Sequence, residues 1–95
     1  MKPSEWEKLP EQEQLDRCQQ LNPYEEWDIF KAVEKSFMAA YGEQPAVGKV
    51  FCGIGGSVGP INAIGVTIKK GQPRSKLPEY FLGFPVLKTY ESASK

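Results

Sequence analysis

Hydrophobic positions along the chain change their period once. Up to residue 41 they recur at three- and four-residue steps, and from residue 46 onward they alternate. Ser4-Glu5-Trp6-Glu7 has the form of a capping box, with Ser4 as N-cap, and predicts a short first turn that breaks at Leu9-Pro10. Leu15, Cys18 and Leu21 then share one side of a polar stretch. This predicts a weakly amphipathic helix over about 10–21, opened by Pro10, whose missing N–H has no partner to lose there. Asn22-Pro23-Tyr24-Glu25 repeats that start signal. Trp27, Phe30, Val33, Phe37 and Tyr41, widened by Ile29 and Ala40, predict a core helix over 23–41, stopped by a left-handed Gly42.

The alternating half predicts three strands. Val50, Cys52 and Ile54 face one way in a strand over about 46–54. Ile64, Val66 and Ile68 do the same over 61–70, with Thr67 and Lys69 opposite. Gly71 to Lys76 is a polar turn, and Leu77 to Phe81 reads as one helical turn opened by Pro78. The third strand, 84–90, contains Pro85, which cannot donate to a ladder, so an edge or one-sided pairing is expected. The fold expected is α+β: two helices packed on a small, mainly antiparallel, three-stranded sheet.

Length and composition keep this within one domain. Ninety-five residues leave no room for a second core, and 40% hydrophobic content with eleven aromatics is enough to build one. Residues 92–95 read as a tail. Charge sharpens the division. Residues 1–44 carry ten acidic and five basic side chains, and residues 45–95 carry two acidic and seven basic. The charges either solvate two elements of one fold or form a dipole that orients a partner. No apolar stretch follows Met1-Lys2-Pro3-Ser4, no run is long enough for a bilayer, and Cys18 and Cys52 lie far apart. The expectation is therefore a cytoplasmic protein with reduced thiols and no membrane association.

Candidate chemistry is sparse. Gly55-Gly56-Ser57-Val58-Gly59 satisfies the pattern of a hydrolase nucleophile elbow. The chain has no histidine to take the serine proton, and Pro60 and a strand follow instead of a helix. An enzyme using Ser57 or Cys52 is thus a minor reading. Dinucleotide and P-loop patterns fail on spacing, and both need a helix after the glycines. What survives is a loop, 53–60, whose Gly53, Gly55, Gly56, Ser57 and Gly59 either expose backbone amides to an anion or only connect two strands. Lys69, Lys70, Arg74 and Lys76 place four cations in eight residues, as a solvated turn or an anionic contact. With no net charge, the chain lacks the basic footprint of a nucleic-acid binder. Glu25, Glu26 and Asp28 suit the start of a helix without any catalytic role. No metal-ligand spacing is present and no cofactor is implied.

Roughly residues 46–90 run as strand, glycine break, strand ending in lysines, Leu-Pro and Gly-x-Pro-Val. These are Ile64 to Lys70, Leu77-Pro78 and Gly83-Phe84-Pro85-Val86. The layout looks similar to a short domain found beside some bacterial serine-protease-like modules. The resemblance is one of topology and a few small residues, and it carries over no functional residue. The functional expectation is a non-enzymatic protein-interaction module that binds a protein partner or a second copy of itself. Its surface would combine loop 53–60 with the basic turn 69–76. The alternative is a small-ligand or anion-binding domain built on the glycine loop.

Overall fold

The protein is described here from a computed structural model covering residues 1–22, 24–54, 62–73 and 76–90. Three helices precede four strands: α1 (Pro3–Lys8), α2 (Glu11–Cys18), α3 (Trp27–Tyr41), β1 (Val47–Ile54), β2 (Asn62–Ile68), β3 (Tyr80–Phe81) and β4 (Phe84–Tyr90). The class is α+β, as the change of period predicts.

The helix boundaries differ from expectation for local reasons. Helix α1 starts at Pro3, not after Ser4: the Glu5 carboxylate accepts from the Lys2 amide at 2.7 Å, which moves the reciprocal cap two residues upstream. Helix α2 is shorter than 10–21, with Pro10 as N-cap. Asn22 does not cap α3. Its Oδ1 accepts from the amides of Tyr24 and Glu25, closing a separate turn, and α3 begins at Trp27, four residues after the expected start at 23. The expected opening residue, Pro23, lies outside the described residues. Gly42 ends α3 with an ordinary right-handed φ of −67° and not a left-handed one.

The core follows the predicted stripe except at Ala40, which is exposed, and at Trp27. Ile29, Phe30, Val33 and Phe37 of α3 are buried against Cys52, Ile64, Val66 and Phe84. Trp27 is instead 49% exposed, stacked on Phe30 with the Lys31 ammonium over its ring. Trp6 fills the place beside Phe84, and Phe30 meets Phe84 edge-to-face.

The sheet has four strands in the order β1-β2-β4-β3, not three. Strands β1 and β2 form the expected antiparallel pair, as do β3 and β4, but β2 and β4 run parallel. The expected helical turn at 77–81 is replaced by strand β3. Its tight hairpin with β4, through Leu82 (φ 51°) and Gly83 (φ 86°), returns the chain between β3 and β2. Strand β4 is therefore interior. Pro85 is tolerated because the ladder to β2 begins only at Val86, while Val86, not residue 85, donates to the Glu79 carbonyl.

Asn62 and Gln19 join the end of α2 to the start of β2. Asn62 is fully buried, and its Nδ2 donates to the carbonyls of Cys18 and Leu21 at 2.8 and 2.9 Å. The Gln19 amide exchanges two hydrogen bonds with the Asn62 backbone. These satisfy helix-end carbonyls that have no partner of their own within the helix.

Candidate interaction site

Register decides which residues share a face. Ile64, Val66 and Ile68 of β2 pair with Val86, Lys88 and Tyr90 of β4; Ile64, Val66, Ile68 and Val86 pack in the core with α3, while Lys88 and Tyr90 are exposed. The opposite face presents Phe51, Gly53, Gly65, Thr67 and Leu87. Phe51 is 55% exposed there. Its ring lies over two glycines: a Cβ added at Gly53 or Gly65 would sit 3.1 or 3.2 Å from ring carbons. The missing side chains let the ring lie close to the strands, forming a flat apolar ledge.

Only the first glycine of the predicted loop belongs to this ledge. Gly53 is a buried strand residue opposite Ala63. Gly55, Gly56, Ser57 and Gly59 lie outside the described residues, as do the side chain of Ile54, Arg74 and the tail.

The basic turn is held at both ends. The Lys69 amide donates to the Ala46 carbonyl at 2.7 Å. The chain then turns at Gly71, whose φ of +80° suits glycine. At the far end, the Gln44 side chain grips the Lys76 backbone like a strand partner, accepting from its amide at 2.7 Å and donating to its carbonyl at 2.9 Å. Lys69, Lys70 and Lys76 are exposed on this frame. Sequence reading missed Lys88 and Tyr90, which the parallel pairing brings beside the Ile68–Lys69 end of β2. Nothing in the alternation of β4 alone signals which strand it joins.

The outer edge of β1 is covered locally. The Glu34 carboxylate of α3 accepts from the Cys52 amide at 3.1 Å. An edge amide that would otherwise pair with another strand is thus occupied.

Both cysteines are free and buried. Burial pushes the Cys18 thiol up to about 12. It raises Cys52 further, helped by the negative charge that Cys18 and Glu34 would place nearby. Both remain thiols at neutral pH and are poor nucleophiles. Among the described residues no cluster of His, Cys, Asp and Glu is arranged to hold a metal, and no helix is long and apolar enough to cross a membrane. Comparison with known proteins adds no assignment: no family model, curated protein or solved structure matches this chain.

Proposed function

We propose that this domain is a non-enzymatic protein-interaction module of the cytoplasm that binds a protein partner or a second copy of itself. The observation that carries the reading is the exposed Phe51 ring on the face opposite α3, laid flat over Gly53 and Gly65. Large apolar side chains held in the open on a rigid element are typical anchors of protein contacts. The excess of basic side chains in residues 45–95 and of acidic ones in 1–44 provides complementary charge for a second copy. Two buried, protonated thiols agree with a reducing compartment and supply no nucleophile.

The test combines light scattering after gel filtration with affinity capture from lysate. Phe51→Ser is expected to abolish self-association or the captured partner while thermal stability stays within a few degrees. Reversing Lys69, Lys70, Arg74 and Lys76 to Glu is expected to weaken the same contact. A monomer that captures the same proteins whether or not Phe51 is changed would remove the reading. Anion binding by the backbone of loop 53–60 is the second proposal. It predicts amide shifts in residues 53–60 on adding phosphate, and a flat titration there ends it.

A further inference from the structure

We propose that a cleft at the carboxyl ends of the parallel strands β2 and β4 binds a phosphate monoester carried on a planar, apolar body, with Lys69 and Lys88 facing the phosphate. The cleft measures about 510 Å³, within the usual range of small-ligand sites. Ala46, Ile68, Pro73 and Tyr90 make its apolar walls, and Gln72 adds an amide at the rim.

The parallel pairing creates the site. Strands β2 and β4 both end on the same side of the sheet, and β2 leads directly into the turn at Gly71. The carboxyl ends of parallel strands are the place where open α/β sheets take their ligands. Register sets Lys88 beside Val66 and Tyr90 beside Ile68. The bond from the Lys69 amide to Ala46 roots the other wall.

Charge selects the ligand. Two lysines line the cleft, no carboxylate does so among the described residues, and neither lysine makes an ion pair or side-chain hydrogen bond there. A phosphate monoester, with a charge of about −1.5 to −2 at neutral pH, matches two ammonium groups, and each contact is charge-assisted. The phenol ring of Tyr90 and the ring of Pro73 suit a flat group better than a polar one. Lysine, as a compact point charge on a flexible stem, requires no fixed geometry before binding. This site does not include Phe51 but shares Lys69 with the basic turn, so Phe51→Ser tests the interaction reading alone and Lys88→Gln tests this one alone.

The probe is adenosine monophosphate, followed by amide chemical shifts and calorimetry, with adenosine and inorganic phosphate as comparison ligands. Shifts are expected in residues 68–72 and 88–90, with both comparison ligands at least about tenfold weaker, as expected when each lacks half the contacts. Lys69→Gln with Lys88→Gln is expected to cost about tenfold or more in affinity. Lys49→Gln and Phe51→Ser should leave it unchanged. The charge-retaining pair Lys69→Arg and Lys88→Arg should bind like the parent, and dispersed amide spectra would show that each variant is folded. No shift at millimolar adenosine monophosphate overturns the proposal. So does equal binding of inorganic phosphate, or an equal loss in Lys49→Gln, which would mark bulk charge.

Discussion

The indole Nε1 of Trp6 donates a hydrogen bond of 2.9 Å to the carbonyl of Leu82, joining the first helix to the hairpin near the other end of the chain. Leu82 is the single described non-glycine residue with positive φ, at 51°. A left-handed leucine costs about 1–2 kcal/mol, so its conformation is held by its surroundings. Trp6 also meets Phe84 edge-to-face. Trp6→Phe keeps an aromatic ring in the core but leaves the Leu82 carbonyl without its donor. A loss of about 1–3 kcal/mol is expected, read as a lower urea midpoint at constant slope.

The next residue, Gly83, tolerates no side chain. A Cβ there would approach backbone and side-chain atoms of Gln14 to 2.6 Å, at a φ of +86°. Gln14 itself is anchored, since its Nε2 donates to the Trp6 carbonyl at 2.9 Å. Gly83→Ala is expected to destabilise by about 2–4 kcal/mol, the sum of overpacking and backbone strain. Thermal unfolding would show this, and a melting temperature equal to the parent's would contradict the close approach.

Asn62 is the polar group on which the end of α2 depends. Asn62→Ala removes the donors to Cys18 and Leu21 within a fully buried setting. The expected cost is about 1–3 kcal/mol, because the Leu21 carbonyl loses its partner, while the Cys18 carbonyl keeps the Leu21 amide at 3.2 Å. Hydrogen exchange should then be faster in residues 15–21 than in β4. Uniform acceleration across the whole chain would argue for a global effect instead.

The buried thiols make stability fall with alkaline pH. In the unfolded chain a thiol ionises near 9.0, whereas folded Cys18 holds its proton to about 12 and Cys52 holds its own beyond that. Between these values the folded state binds more protons than the unfolded one, so stability declines as pH rises from 9. The limiting slope is about 1.4 kcal/mol per pH unit for each thiol. Denaturant curves at pH 8 and 10 should differ less in a Cys18→Ala, Cys52→Ala double variant than in the parent. Near pH 7.5 a disulfide reagent should react only at the rate of unfolding.

Glu34 guards a strand edge. Glu34→Ala frees the Cys52 amide that its carboxylate now accepts from at 3.1 Å. A loss of about 1.5–3 kcal/mol is expected, with more self-association on mild heating. Glu34→Gln, which keeps an acceptor oxygen, should restore most of both. Sedimentation before and after heating separates these outcomes.

Local pattern reached far into this fold. The stripe Phe30, Val33, Phe37 and the alternation Ile64, Val66, Ile68 are the core as found, because side-chain period reports directly which face of an element is buried. Alternation placed Val50 and Cys52 on the core side, but the ledge at Phe51 was not legible, because it depends on Gly65 pairing opposite Phe51 across the sheet. Cation spacing singled out Lys69, Lys70 and Lys76, and they are exposed on a framed turn.

Strand order and direction were decided by tertiary structure alone. A strand's alternation is the same whether its neighbour runs parallel or antiparallel, so nothing in residues 84–90 announces the pairing with β2. That pairing follows from the hairpin at Leu82 and Gly83, whose positive φ angles are held by Trp6 and by the packing of Gln14. The cleft between Lys69 and Lys88 exists only because of it. Period is a property of neighbouring residues and can be read along the chain. The crevice depends on which chain ends meet, and packing across 76 residues settles that.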